Sequence, residues 1–202
     1  MPLIPIILLA AGASSRMGGR DKLMIEIDGA PLIRRSARAA LATGQPVIVA
    51  VPDMDHPRAR AIADLPVRMV AVPDAGEGMN ASLRRALGTL PPDAQAAMVL
   101  LADLPEMRGE DLNTFLQSIE MDGETLIWRG TDATGAAGHP VVFDRSLFGE
   151  LAALSGDGGA RTVVRAHHPQ VRLIPMPGRV ATLDLDTPEA WQAWLQERRN
   201  NR

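Results

Sequence analysis

Residues 8–22 read LLAAGASSRMGGRDK, and within them the chain changes from apolar to small and then to charged residues. The apolar run over 3–9, interrupted only by Pro5, has the length and flanks of a buried strand. After it, small side chains let a ligand approach the backbone, and free backbone N–H groups in such a turn can bind an anion. Arg16 and Lys22 add two positive charges, and both side-chain types bind phosphate. The stretch therefore predicts a strand followed by a loop that binds a nucleoside triphosphate.

This loop does not match two common phosphate-binding patterns. The pattern G-x-x-x-x-G-K-[ST] is absent because Gly18 is followed by Gly19 and Arg20. The pattern G-x-G-x-x-G is also absent, since Gly12, Gly18 and Gly19 have the wrong spacing. The alternative that stays open is an ordinary turn after a strand, with cations on the surface.

The composition indicates a globular protein and excludes several kinds of site. The chain has 202 residues, of which 46% are hydrophobic, and this suits one domain over 1–202 with a sizeable core. The net charge of −3 gives no reason to expect nucleic acid or a membrane surface as a partner. Because cysteine is absent, disulfides, thiolate catalysis and cysteine-bound metals are excluded. The first apolar run is too short to span a bilayer, so a cytoplasmic location is the default expectation.

Strands and helices are predicted to alternate along the chain. The expected strand segments after the first are 45–51, 67–72 and 97–102, and the expected helices cover 31–42, 58–64 and 109–119. Such alternation indicates parallel strands with helices on both faces of the sheet. The predicted fold is a three-layer α/β/α domain with a mainly parallel sheet.

The first loop also resembles a known family signature. Its Leu-Ala-Ala-Gly-x-Ser-x-Arg-Met-Gly run, with a Lys after it, is similar to that of nucleotidyltransferases related to the molybdenum cofactor nucleotidyltransferases. The family's motifs follow in the expected order over 8–189, and the resemblance implies a Rossmann-like fold. It also implies that Arg16 and Lys22 are catalytic residues that hold the triphosphate. The backbone residues that the resemblance places against the nucleotide are Leu9, Ala10, Ala11 and Gly12.

Two features of the same loop indicate which nucleoside triphosphate is the donor. The Ala-Ala-Gly run resembles the molybdenum cofactor cytidylyltransferases, whereas the guanylyltransferase relatives usually carry Ala-Gly-Gly. Ala11 therefore favours CTP. The spacing from Gly18 to Lys22 instead resembles the guanylyltransferase branch. The expectation is that CTP is favoured over GTP.

A second loop over 72–83 is predicted to contact the nucleotide. It follows the third strand, and ligands bind at the carboxyl ends of parallel strands in open α/β sheets. The resemblance assigns nucleotide binding to Gly78 and Ser82, while Asn80 matches the family less closely. The alternative is a turn followed by a capped helix.

Asp103 follows the most apolar strand segment, 97–102. An isolated buried carboxylate is costly, so Asp103 should be paired, hydrogen-bonded or bound to a metal. Mg²⁺ commonly takes one or two carboxylates together with substrate phosphates. The resemblance implies that Asp103 is a catalytic Mg²⁺ ligand. The alternative is that Asp103 caps the helix over 109–119.

The resemblance places a second Mg²⁺ ligand in the Asp-x-Asp-Thr-Pro-Glu segment. Asp186 is the first choice and Asp184 the second, and on a strand both carboxylates would face the same side. Thr187 and Pro188 also have the pattern of a helix start, so one of these acids could serve only that turn.

Three residues are predicted to contact the acceptor of the nucleotidyl group. His139 follows a polar loop over 130–138 and could contact the acceptor, shuttle a proton or only bond to the backbone. Asp157 can cap a helix over 159–166, and Arg161 at its start could bind an acceptor phosphate. Their segment resembles a Gly-Asp-x-Gly-Ala-Arg motif of the cytidylyltransferases. The acceptor that the resemblance implies is the terminal phosphate of molybdopterin, with transient contact to a molybdoenzyme or its chaperone.

Two other functions stay open at this point. The same chemistry could act on a sugar phosphate or an alditol phosphate, although the motif over 157–161 argues against this. A non-catalytic nucleotide-binding regulator could share the fold, but such a protein would be expected to lose some of Arg16, Lys22, Asp103 and the later acids.

Overall fold

The computed structural model describes residues 2–155 and 159–200 of the chain. It contains a seven-stranded sheet and a separate two-stranded hairpin. The strands are β1 Ile6–Leu9, β2 Glu26–Ile27, β3 Ala30–Pro31, β4 Val47–Val51, β5 Arg68–Ala71, β6 Ala96–Leu101, β7 Ile127–Thr131, β8 Ala137–Asp144 and β9 Val171–Pro175. The α-helices are α1 Leu32–Leu41, α2 Pro57–Arg60, α3 Met79–Leu87, α4 Gly109–Gln117, α5 Phe148–Ala152, α6 Arg161–Ala166 and α7 Pro188–Asn200. No helix in these two ranges is long and apolar enough to cross a membrane.

The large sheet is mostly parallel and has the order β5-β4-β1-β6-β8-β7-β9. Strands β5, β4, β1 and β6 run parallel, as do β7 and β9, while β8 is antiparallel to both of its neighbours. The chain passes from β1 to β4 on one side, and β6 returns to the other side of β1. In open α/β sheets the ligand crevice lies at the carboxyl ends of the strands at such a reversal.

Every residue of β1 is buried, because helices cover both faces of the sheet. Ile6 and Leu8 belong to a core with buried residues of α1, α4 and α7. Ile7 and Leu9 belong to a second core with buried residues of α3, α5 and α6. The three-layer, mainly parallel α/β/α fold expected from the sequence is confirmed.

The predicted loop over 130–138 is shorter in the structure and covers only residues 132–136. β7 extends to Thr131 and β8 begins at Ala137, with a tight turn between them. The Asp132 carboxylate shapes this turn by accepting the backbone N–H groups of Thr134 at 2.8 Å and Ala136 at 3.0 Å. A side chain that supplies turn hydrogen bonds lets two strands pair across a very short connection.

The helix predicted over 58–64 is also shorter than expected. It forms only α2, and the Ile62 N–H then bonds to the Ala59 carbonyl, three residues back, at 3.2 Å. The N–H groups of Ala63 and Leu65 likewise bond three residues back, to the carbonyls of Arg60 and Ile62, so the chain continues as tighter turns instead of an α-helix.

Gly138 brings β8 against residue 181, where the segment carrying Asp184 and Asp186 begins. The His139 N–H donates to the Ala181 carbonyl at 2.8 Å, and a Cβ on Gly138 would lie 1.9 Å from the same oxygen. Because that neighbour is backbone, Gly138→Ala should lower the free energy of unfolding by about 1–3 kcal/mol or more.

Urea unfolding of two variants checks this packing. Gly149→Ala is the matched control, because it lies in α5 and its added Cβ would meet nothing within 4 Å. We expect Gly149→Ala to be close to wild type and Gly138→Ala to be clearly less stable. Equal stability of the two variants would contradict the close approach.

Candidate active site

A cavity of about 420 Å³ lies at the carboxyl ends of β1 and β6. The first loop supplies one wall through the predicted residues Leu9, Ala10, Ala11, Gly12, Arg16 and Lys22. The other predicted residues that line it are Gly78, Ser82, Asp103, Asp184 and Asp186. The structure therefore gathers the predicted nucleotide-binding and metal-binding residues around one space, and their roles remain predictions.

Lys22 lies between two of the predicted metal ligands. Its ammonium group hydrogen-bonds to Asp103 Oδ2 and lies 2.6 Å from Asp186 Oδ1. Arg16, which is largely exposed, forms an ion pair with the other carboxylate oxygen of Asp186. Lys22 is the only lysine in the chain. Burial would lower the pKa of Lys22, but the neighbouring Asp103 and Asp186 raise it overall, so the ammonium form is favoured.

Asp184 and Asp186 approach the cavity from irregular backbone rather than from a strand, so the expected strand geometry is wrong. Burial and the neighbouring carboxylates of Asp186 and Asp103 raise the pKa of Asp184. For Asp186, burial acts in the raising direction, but the hydrogen bond from Lys22 and the charge of Arg16 hold its pKa below the usual value. The two acids thus differ in proton affinity, and the charged form is favoured more strongly at Asp186 than at Asp184.

Thr187 caps α7, which begins at Pro188 as expected. Its hydroxyl accepts the backbone N–H of Ala190 at 3.2 Å, and its carbonyl accepts that of Trp191 at 3.1 Å. This cap uses neither acidic side chain. Asp103 is not a helix cap either, because its carboxylate binds Lys22.

Asp103 has an atom that suits a metal. Its Oδ1 is buried and has no hydrogen-bond partner, although a buried carboxylate oxygen needs one. Over residues 2–155 and 159–200, no group of three or more His, Asp or Glu side chains is arranged to hold a metal ion. Two carboxylates, supplemented by phosphate and water oxygens, still match the preference of Mg²⁺. The donor set therefore fits a divalent cation that binds together with a phosphate-containing substrate.

Gly78 adopts a backbone conformation that requires glycine. It precedes α3 with φ +95° and ψ −171°, a region that other residues rarely adopt. Ser82, one turn into α3, is buried and lines the cavity. Sequence analysis therefore identified a turn and helix start whose residues do face the candidate site.

A second cavity adjoins the first and contains two of the predicted acceptor residues. His139 and Arg161 line it, and His139 Nδ1 also lies 3.4 Å from the Val99 carbonyl oxygen. Burial lowers the pKa of His139, which favours the neutral imidazole. α6 begins at Arg161 rather than at Gly159. Asp157, the third predicted acceptor residue, lies outside the described residues.

Sequence analysis missed two arginines near these cavities. Arg129 lines the second cavity and donates to the carbonyls of Gly138 and Ala137, each at 3.2 Å. It lies on β7, and its strand position gave no signal because the pairing of β7 with β8 could not be foreseen. Arg58 was expected only as the start of a helix, but its guanidinium is buried beneath the first loop.

Comparison with known proteins identifies the family. A sequence profile of the MobA-like NTP transferase domain matches residues 6–171. The chain belongs to this family. The family is described as an NTP transferase domain, so the resemblance stated from the sequence is confirmed at the level of family and general reaction.

Two relatives have names that state different activities. The chain is 30% identical over 207 residues to nicotine blue oxidoreductase of Paenarthrobacter nicotinovorans, covering 94% of this chain and 95% of that protein. It is 31% identical over 116 residues to a probable molybdenum cofactor guanylyltransferase of Synechococcus elongatus, covering 56% of this chain and 58% of that protein.

A solved structure has a similar fold. Rv0371c of Mycobacterium tuberculosis H37Rv superposes with a TM-score of 0.82 at 28% identity, covering 96% of this chain and 98% of that one. Another structure of Rv0371c, in complex with manganese, superposes with a TM-score of 0.78 at 28% identity and with the same coverage.

Proposed function

We propose that this protein transfers a nucleotidyl group, CMP from CTP, to the phosphate of a small-molecule acceptor and releases pyrophosphate. The observation that carries the proposal is that the two cavities are neighbours. They share Leu9, Met79, Leu101, Arg161 and Asp184 as lining residues. A triphosphate in the first cavity would therefore present its α-phosphorus to an acceptor in the second.

The proposed reaction needs little covalent chemistry from the protein. An acceptor phosphate oxygen attacks the α-phosphorus in line, the α–β phosphoanhydride bond breaks, and pyrophosphate leaves. A phosphate monoester is already nucleophilic, so the protein must mainly position the reactants and neutralise charge. Arg16 and Lys22 would bind the triphosphate, while Arg161 and Arg129 would bind the acceptor phosphate.

Asp103 and Asp186 are the residues we propose to hold Mg²⁺, with Asp184 beside them. When bound, the ion would neutralise negative charge on the phosphates during transfer. The partnerless Oδ1 of Asp103 and the charged state favoured at Asp186 support this assignment. The manganese complex of Rv0371c supports a divalent cation in general.

We propose the molybdenum cofactor as the acceptor, through its terminal phosphate. The guanylyltransferase relative, whose name includes that cofactor, supports this choice. In the second cavity, Val141 and Phe143 form apolar walls near the two arginines, which suits an acceptor with a ring system and an anionic end. A sugar or alditol phosphate has fewer apolar groups to place against those walls. Asp157 and transient contact with a molybdoenzyme or its chaperone remain part of the proposal.

We expect CTP to be used in preference to GTP because of Ala11. Ala11 lines the first cavity, and we propose that its methyl group narrows the space for a purine. One methyl group typically discriminates by about 1–3 kcal/mol, or roughly 10–200-fold. Initial rates with CTP and GTP at matched subsaturating concentrations measure the preference. The guanylyltransferase relative and the spacing from Gly18 to Lys22 favour the opposite result.

Ala11→Gly is the variant that connects this preference to the residue. We expect it to raise the rate with GTP relative to CTP, because it removes the methyl group. Equal or faster use of GTP by the wild-type protein would contradict CTP as the donor.

The function itself is tested with a matrix of substrates. Each of the four common nucleoside triphosphates is combined with molybdopterin, a sugar phosphate or an alditol phosphate, and pyrophosphate release is recorded. The proposal predicts release only when molybdopterin is present, with CTP fastest. Release with a sugar or alditol phosphate alone would identify the alternative acceptor class.

A second candidate function is an oxidoreductase, favoured by the name of the relative that covers nearly the whole chain. Such an activity would require an electron donor or acceptor, and the spacing Gly12, Gly18 and Gly19 lacks the usual dinucleotide fingerprint. An assay of NADH or NADPH oxidation tests this candidate. A quinonoid dye serves as the electron acceptor, and the loss of near-ultraviolet absorbance of the reduced cofactor is recorded. Turnover in this assay, without pyrophosphate release from any triphosphate, would favour the oxidoreductase function.

A further inference from the structure

Arg58 is a buried guanidinium whose contacts converge on the first loop. Its side chain is 3% exposed and reaches the loop from α2, which follows β4, the neighbour of β1. An arginine side chain has five N–H donors, and here every one of them has an acceptor. The acceptors are both carboxylate oxygens of Asp21 at 2.7 Å, the carbonyls of Ala10 and Gly12 at 2.7 Å, and Ser14 Oγ at 3.1 Å.

These contacts determine the orientation of two peptide groups. In a planar trans peptide, the carbonyl of one residue and the N–H of the next point in opposite directions. The carbonyls of Ala10 and Gly12 point at Arg58, so the N–H groups of Ala11 and Ala13 point away from it. Both of these residues line the first cavity. Within the described part of the chain, neither N–H group donates to a protein acceptor.

We propose that Arg58 is a positioning residue that holds the N–H groups of Ala11 and Ala13 toward the phosphates of the bound nucleotide. Arg58 itself touches no substrate, because its donors are all used within the protein. The inference rests on the proposed function, since it assigns these N–H groups to the triphosphate. It explains how a loop of small side chains keeps one conformation: both ends of the loop, at Ala10 and Asp21, are bound to one buried cation.

The geometry requires arginine rather than any cation. The planar fork binds the two oxygens of Asp21 side by side and still has donors for two carbonyls, which one ammonium group cannot do. Arg58→Lys therefore keeps the charge beside Asp21 but loses most of the carbonyl contacts. It is a better test than an apolar substitution, which would leave the Asp21 carboxylate without its charged partner.

The experiment compares phosphate binding with nucleoside binding. Affinities for inorganic pyrophosphate with Mg²⁺, and for the nucleoside of the donor used, are measured by calorimetry on wild type and variants. We expect Arg58→Lys to weaken pyrophosphate binding by about tenfold or more, because misplaced donors lose their alignment, and to leave nucleoside binding unchanged. Arg34→Lys is the matched control. Arg34 forks onto Asp64 and donates to the Ala61 carbonyl, but it lies away from the cavity.

The outcomes separate the role of Arg58 from general stability and from the proposed function. Unchanged pyrophosphate affinity in Arg58→Lys, or equal losses for pyrophosphate and nucleoside, would overturn the inference. If Arg58→Lys does not fold, the affinities of Asp21→Asn for pyrophosphate and for the nucleoside test the inference instead. This variant removes only one of the two oxygen acceptors that Asp21 offers to Arg58. If wild type transfers no nucleotidyl group, the proposed function fails, while pyrophosphate binding still tests Arg58.

Discussion

Replacing Asp103 with asparagine should lower turnover by about a hundredfold or more while the protein stays folded. The asparagine side chain would keep the shape of the aspartate but lose the charge that binds Lys22 and, in our proposal, a divalent cation. A metal ion at a phosphate contributes several kcal/mol of charge stabilisation, and about 1.4 kcal/mol corresponds to each tenfold in rate. Initial rates at saturating Mg²⁺, and separately at saturating Mn²⁺, measure the effect.

The matched control for this change is Asp93→Asn, which alters an exposed carboxylate on the turn before β6. Asp93→Asn should have normal turnover and stability. Binding of Mn²⁺ in the presence of triphosphate, followed by electron paramagnetic resonance, provides a readout independent of activity. Near-normal turnover and Mn²⁺ affinity in Asp103→Asn would show that another group holds the cation.

Replacing Lys22 with alanine should weaken triphosphate binding by about 10–100-fold, the range expected from losing one hydrogen bond to a charged group. Nucleoside binding should change little, since the base is proposed to lie near Gly78 and Ser82. Because Lys22 is the only lysine, reductive ¹³C-methylation gives one side-chain NMR signal besides that of the terminal amine. That signal should shift when triphosphate is added and stay in place when nucleoside is added.

Arg60→Ala is the control for Lys22→Ala, because it removes an exposed cation outside the lining of either cavity. It should leave triphosphate affinity unchanged. Equal losses for triphosphate and nucleoside in Lys22→Ala would indicate that Lys22 only maintains the arrangement of Asp103 and Asp186. In that case the assignment of Lys22 to the triphosphate would be wrong.

The sequence predicts the central layer well because its strands are fully buried. The strand core over Val47–Val51 is a continuous apolar run, and the structure has β4 at those residues. Asp103 was likewise predictable, since an acid directly after such a run must meet a partner at the sheet edge. At these positions the local sequence pattern and the burial of the strand favour the same structure, so neighbouring residues alone are sufficient for the prediction.

Other features depend on contacts between distant parts of the chain. Nothing near Arg58 in the sequence indicates that it binds carbonyls 46 and 48 residues away. The antiparallel insertion of β8 between β6 and β7 is also a choice of pairing that apolar patterning leaves open. Asp184 and Asp186 reach the cavity through irregular backbone that is anchored at Ala181, and no periodicity predicts that path.

The central claim is nucleotidyl transfer between two adjoining cavities, and one labelling measurement tests it most directly. The protein is incubated with molybdopterin and a triphosphate labelled on either the α- or the γ-phosphate, and the products are separated and quantified. The account predicts that the α label appears in the acceptor product in equal amount to the γ label in pyrophosphate. It also predicts that omitting the acceptor, or the divalent cation, abolishes both products. Release of the γ label as inorganic phosphate, with the α label left on nucleoside diphosphate, would contradict the account.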